Sequence, residues 1–244
     1  MDVKKYLMEK IVKGTIHFTL IDPDKQEAPA AADIARKAAA AGTDAIMLGG
    51  STDVTKENLD ATVSAIKEVC DLPAIFFPSG ANAISGKCDA IFFMSMVNSS
   101  DIGWIIGEQV KGSLVTRELK LEPISMGYII VEPGMRVGEV GHARPLRHND
   151  IKGAASYALA CEYLGMSFVY LEAGSGAHMP VPPEMIKAVK EVLSVPLIVG
   201  GGIRTAEAAE AARLAGADAI VTGTFVERCL DDSELKNIVK AAKG

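Results

Sequence analysis

The sequence predicts a single (β/α)8 barrel of the TIM type, and three observations carry that expectation. Short apolar runs alternate with amphipathic segments along the whole chain. Most of the runs are nearly continuous in Ile, Val, Leu or Phe, as strands covered on both faces are. The 244 residues match one such barrel, and no linker, low-complexity tract or composition break divides them. Residues 1–244 are therefore read as one domain.

Taken in order, strand 14–21 (GTIHFTLI) precedes a helical pattern at 28–41, and strand 44–49 precedes one at 54–69. After strand 74–77 (AIFF) comes PSGANAISGKC, which is too short and glycine-rich for a full helix. The third helix is thus expected to be missing or a single turn. Strand 89–94 leads to a helix at 101–117, strand 125–131 to one at 149–164, and strand 167–172 to one at 182–194. Strand 196–200 leads to 205–215, and strand 218–222 to 232–243. The chain also echoes itself: AGTDAIMLGG, GKCDAIFFMS and AGADAIVTGT each run through a small-residue turn into Asp-Ala-Ile. Gly42 and Gly216 are expected to stop helices in the left-handed conformation, after which an aspartate starts the next strand at the barrel's bottom.

Composition excludes several classes. The net charge of −6 leaves no excess of Lys and Arg to neutralise nucleic-acid phosphates. Cys70, Cys88, Cys161 and Cys229 form no C-x-x-C and read as reduced, buried thiols of a cytoplasmic protein. The start, MDVKKYLMEKIVKG, lacks the unbroken apolar stretch of a signal peptide, and no run is long enough to span a membrane.

In such barrels the active site lies at the C-terminal ends of the strands. Those ends here are rich in Gly, Ser, Thr and carboxylates. At strands 7 and 8, IVGGGIRT and VTGTF supply Gly201, Gly202 and Gly223, whose amides no Cβ would shield, together with the Thr224 hydroxyl. Thr205 can cap the helix that follows, whose N-terminal field favours an anion. This is the usual phosphate position in barrels, and EAGSG adds a third turn. The alternative is that the glycines only permit tight turns. The stretch is not a dinucleotide fingerprint, since Thr205 stands where the last glycine would be needed.

At strand 1, IDPDK places Asp22 and Asp24 around a proline, hard oxygen ligands of a kind suited to Mg²⁺ completed by substrate phosphates. Ser51 and Thr52 can add a hydroxyl; the competing account is a turn in which Asp24 caps the next helix. At strand 6, YLEAGSG puts Glu172 beside the phosphate corner, where a carboxylate next to Tyr170 can accept a proton from a substrate hydroxyl. A structural Glu172 paired with Arg204 or Lys25 competes. His17, His142, His148 and His178 show no zinc spacing. The loop 133–148 carries Arg136, Arg144 and Arg147, either as a lid over an anion or as a subunit contact.

IDPDK, GGST, YLEAGSG, VGGGIRT and VTGTF together closely resemble the geranylgeranylglyceryl phosphate synthase family, over essentially the whole chain. The resemblance implies a (β/α)8 barrel that transfers a prenyl group from a prenyl diphosphate, C20 foremost, to sn-glycerol 1-phosphate with Mg²⁺. It assigns glycerol phosphate binding to Tyr170, Leu171, Glu172, Ala173, Gly174, Ser175, Gly176, Gly201, Gly202, Gly223 and Thr224. It assigns the metal to Asp22 and Ser51, and catalysis to Glu172 with Tyr170 shaping the pocket. Leu20 stands where another branch of the family has a lysine.

The prenyl chain needs an apolar groove, for which Phe77, Phe93, Met94 and Met96 are candidates, with Trp104 at its far end or in a subunit contact. The mean hydropathy of +0.21 suits a groove, and alanine-rich helices explain it equally. A homo-oligomer with only transient membrane contact is expected. The rival readings are an isomerase or synthase acting on a small phosphorylated metabolite, and a non-catalytic sensing barrel.

Overall fold

Eight parallel strands close into a barrel in chain order, β1 to β8, with β8 pairing back onto β1. The computed structural model describes residues 2–50, 52–223 and 232–244. Ser51 and Thr224, both assigned roles above, lie outside the described residues. The strands are β1 (Ile16–Ile21), β2 (Ala45–Gly49), β3 (Ala74–Phe77), β4 (Ala90–Met96), β5 (Glu122–Ile130), β6 (Phe168–Glu172), β7 (Leu197–Gly200) and β8 (Ala219–Thr222). The described helices are α1 (Val3–Ile11), α2 (Ala28–Ala41), α3 (Lys56–Lys67), α4 (Glu108–Glu118), α5 (Met135–Val140), α6 (Ile151–Tyr163), α7 (Pro183–Val192), α8 (Ala206–Leu214) and α9 (Asp232–Lys243).

Every expected strand forms, and the third helix is reduced to one 3-10 turn at Ala81–Ala83. Two helices went unanticipated. α1 buries Val3 and Leu7 against the barrel interior, and its first amides donate to Glu122 at the start of β5. α5 lies within the 133–148 loop. A π-turn, Gly103–Gly107, leads into α4.

The barrel interior is filled by Phe18, Phe77, Phe92, Tyr128, Phe168 and Tyr170 with aliphatic neighbours. The strands' opposite faces pack against the helices in two further clusters, so alternate residues of each strand face opposite ways. On β6 this sends Phe168 and Tyr170 inward and Val169 and Leu171 outward.

The repeated Asp-Ala-Ile units have a common job at the bottom. Asp44, Asp89 and Asp218 each accept the backbone N–H of the preceding strand, from His17, Ala74 and Leu197. Each also pairs with lysine: Lys10 and Lys243, Lys67, and Lys190. Gly42 and Gly216 adopt φ values of 99° and 105°, as expected of helix stops. These features stabilise the end opposite the site.

Candidate active site

Two cavities open at the C-terminal ends of the strands and share a seam of five residues, Glu172 among them. The larger, about 550 Å³, is mainly apolar and lined by Phe77, Phe93, Met94, Met96 and Trp104, with Asp22, Asp24 and Glu108 at polar positions. The smaller, about 40 Å³, is walled by Tyr170, Gly201, Gly202, Thr222 and Gly223. Leu20, Glu172, Ser175, Gly176 and Arg204 line both. All four groove residues expected from the sequence therefore face one cavity.

Glu172 is the last residue of β6 and is 6% exposed. The period of two puts it on the inward face with Tyr170, and register sets it beside Ile130 on β5 and Gly200 on β7. Tyr128, directly across from Tyr170 on β5, is the third member. The Gly174 N–H donates to Glu172 Oε1 at 2.6 Å, and the Tyr170 and Tyr128 phenols each act to lower the carboxylate's pKa. Burial raises the pKa of Glu172, and the hydrogen bonds from Tyr170, Gly174 and Tyr128 oppose that rise. The same burial, with the carboxylate's charge, lifts both phenols well above their usual value and keeps them as donors. A buried carboxylate with an elevated pKa, ringed by donors and open to two cavities, is suited to take a proton from an alcohol.

Glu172 does not form the ion pairs that were its competing explanation. Arg204 donates to the carbonyls of Gly176 and Ala177, and Lys25 pairs with Asp22. Tyr128 was missed because its strand reads as a plain apolar run.

The glycines do two jobs. Gly201 and Gly202 have φ of 81° and 72°, conformations that other residues adopt with strain. A Cβ on Gly201 would also strike the Glu172 carboxylate and stand 2.7 Å from the Ala173 amide. The bareness of Gly201 thus lets the strand-6 loop close over strand 7 as well as exposing the pocket wall. Gly176 is the contrast: its φ is 78°, yet a Cβ there would meet open space. Thr205 caps α8 as expected, accepting from the Ala208 amide at 3.2 Å.

The segment 170–176 is only partly at the pocket. Tyr170, Glu172, Ser175 and Gly176 line it. Leu171 and Ala173, expected at the substrate, instead turn their side chains into the helical layer, because they hold the outward positions of the alternation. The Ala173 amide is taken by the Gly200 carbonyl at 3.1 Å. Gly174 is used to close the loop, packed 2.7 Å (Cβ position) from the Gly134 carbonyl and donating to Glu172.

On the opposite side of the mouth, Asp22 is 6% exposed and Asp24 approaches the β2 loop so closely that a Cβ on Gly50 would lie 2.7 Å from its Oδ1. Thr52 lines the cavity with them. Asp24 does not cap α2, whose cap position is Glu27. Among the described residues no three His, Cys, Asp or Glu side chains gather as a metal site. Two hard carboxylates beside a roomy cavity fit a Mg²⁺ that takes most of its ligands from water and substrate.

From the 133–148 loop, Arg136, Val137 and Val140 line the large cavity, while Arg144 and Arg147 are exposed. His142, His148 and His178 line neither cavity; His148 Nε2 is bonded to the Glu132 carbonyl at 2.7 Å. The described cysteines, Cys70, Cys88 and Cys161, are buried and unbridged.

A closed parallel barrel with a glycine-walled pocket at strands 6 to 8, sharing a buried carboxylate with an apolar cavity, defines a phosphate-binding barrel enzyme with an apolar second substrate. The PcrB family model matches residues 8–242. Geranylgeranylglyceryl phosphate synthase of Thermococcus gammatolerans is 54% identical over 226 residues, covering 93% of this chain and 90% of that protein. The crystal structure of (S)-3-O-geranylgeranylglyceryl phosphate synthase from Thermoplasma acidophilum, in complex with its substrate sn-glycerol-1-phosphate, superposes with a TM-score of 0.97. It is 46% identical and covers 100% of this chain and 99% of that one. The Thermoplasma volcanium enzyme gives 0.95 at 47% identity, covering 100% and 98%. The chain belongs to the PcrB family, that of the geranylgeranylglyceryl phosphate synthases.

Proposed function

We propose that the protein transfers a prenyl group, geranylgeranyl foremost, from its diphosphate to the C3 hydroxyl of sn-glycerol 1-phosphate, forming an ether and releasing diphosphate. The observation that carries this reading is the position of Glu172 at the seam of the two cavities. The small glycine-walled pocket suits the phosphate of the acceptor and the large apolar cavity suits the prenyl chain. The alcohol and the allylic carbon would then meet beside the carboxylate.

In the reaction the C–O bond to diphosphate breaks as positive charge grows on the allylic carbon, and the alcohol oxygen bonds to that carbon. Glu172 takes the hydroxyl proton. Tyr128 and Tyr170 hold the carboxylate in place and keep its pKa from rising further. Holding both substrates in line supplies much of the acceleration. Asp22, with Asp24 near it, would hold Mg²⁺, which supplies neutralisation of the departing diphosphate. Leu20 at the seam keeps the alcohol side of the large cavity apolar.

The reading includes a cytoplasmic, self-associating enzyme. Among the described residues no helix is long and apolar enough to cross a membrane. The exposed row Ile102, Ile106, Val110 and Leu114 supports self-association, which sedimentation velocity measures.

The test of the activity is a product assay with labelled sn-glycerol 1-phosphate, Mg²⁺ and prenyl diphosphates of graded length. The expected result is an ether product, greatest with C20. No product with any donor overturns the reading.

A further inference from the structure

His17, on β1, is fully buried, and both its ring nitrogens are bonded. Nδ1 lies 2.9 Å from Thr43 Oγ1, and Nε2 lies 2.9 Å from Thr222 Oγ1. Thr43 precedes β2 at the barrel's bottom, and Thr222 ends β8 at the top. The imidazole thus braces the outer face of the wall between its two ends. Thr19, Thr43 and Thr222 are all buried with it.

The threonines join the ring in one buried chain of polar contacts. The Thr43 hydroxyl donates to the His17 carbonyl at 3.0 Å and accepts from the Thr19 hydroxyl at 3.2 Å. With its hydrogen on that carbonyl, the Thr43 oxygen is the acceptor for His17 Nδ1–H. Nε2 is then the acceptor, and the Thr222 hydroxyl donates to it. Burial holds the imidazole pKa down to about 3, so the neutral ring persists throughout the physiological range.

Thr222 and Gly223 wall the small pocket. The Thr222 side chain shares the outward face of β8 with Ile220, so it is the backbone at this strand end that forms the wall. We propose that His17 is a positioning residue for the phosphate corner: by bonding the Thr222 hydroxyl through Nε2 it fixes the Thr222–Gly223 peptide against the small pocket. An apolar side chain could fill the same space, but it would not dictate the rotamer of Thr222. A satisfied buried chain of hydrogen bonds does. The proposal rests on the reading of the small pocket as the glycerol phosphate site.

Three variants test it: Thr222→Val deletes the donor, His17→Asn keeps a group only near Nδ1, and His17→Gln restores an acceptor near Nε2. Calorimetric Kd for sn-glycerol 1-phosphate, kcat, both KM values and Tm are measured on each full-length protein. Thr222→Val and His17→Asn should weaken acceptor binding about three- to tenfold, the scale of one lost hydrogen bond, with kcat at saturating acceptor and donor KM within about twofold. His17→Gln should recover most of the affinity, and the double variant His17→Asn/Thr222→Val should bind no worse than the weaker single. If His17→Asn does not fold, Thr222→Val decides alone. Unchanged acceptor affinity in a folded Thr222→Val with a lowered Tm overturns the positioning role only. Failure of the unaltered protein to bind sn-glycerol 1-phosphate overturns the site reading and the proposal with it.

Discussion

Tyr128 and Tyr170 stand opposite each other on β5 and β6 with ring centroids 5.1 Å apart and planes at 62°, and both phenols act to lower the Glu172 pKa. With the Gly174 N–H, this pair tempers the rise that burial gives the carboxylate's pKa. Burial alone would push its pKa further up, and each phenol pulls it back.

Tyr128→Phe should therefore raise the Glu172 pKa. The acidic limb of the kcat–pH profile is expected to move to higher pH, because the base stays protonated over a wider range. Turnover on the acidic side should fall as the protonated fraction of Glu172 grows, while the plateau above the limb is kept. An unmoved limb would show that Tyr128 does not tune the base.

The raised pKa also carries a stability consequence. A carboxyl whose folded pKa lies above its unfolded value contributes stability that is full below the unfolded pKa and is lost as pH rises through the folded one. The Tm of the native protein relative to Glu172→Gln should thus fall as pH climbs above the ordinary carboxylate range. Calorimetric scans of both proteins between acid and neutral pH measure the difference.

Gly201→Ala and Gly176→Ala separate backbone strain from close approach. Both residues have positive φ, but only at position 201 would the methyl group meet the Glu172 carboxylate. Gly176→Ala should cost about 1–2 kcal/mol of stability with turnover largely kept. Gly201→Ala should lose both sn-glycerol 1-phosphate binding and turnover, as read by calorimetry and the product assay.

Asp22→Asn addresses the metal. The Mg²⁺ concentration for half-maximal turnover should rise by at least the about 10–100-fold seen when a group merely supporting a ligand is removed. Affinity for sn-glycerol 1-phosphate, measured without Mg²⁺, should stay unchanged.

The strands were legible because barrel strands are covered on both faces and so appear as unbroken apolar runs. The short third helix was legible from PSGANAISGKC, and the helix stops from Gly42 and Gly216. α1 was not, since only Val3 and Leu7 of a charge-studded segment are buried. α5 hid in a loop rich in glycine and arginine. At the site, Asp22 and Glu172 were readable because each follows or ends an apolar run with a polar group, and Tyr170 through the YLEAGSG motif. Tyr128 lies inside such a run, and only strand register reveals its partner. Leu171 and Ala173 belong to the same contiguous motif, yet alternation turns their side chains into the helical layer.

The measurement closest to the central claim is made on Glu172→Gln. Calorimetry with sn-glycerol 1-phosphate and single-turnover product formation with geranylgeranyl diphosphate and Mg²⁺ are run on the same preparation. Retained acceptor affinity with product formation lowered about 10²–10⁴-fold, the range for a lost general base, is the predicted result. Product formed at the native rate would contradict the assignment of the base.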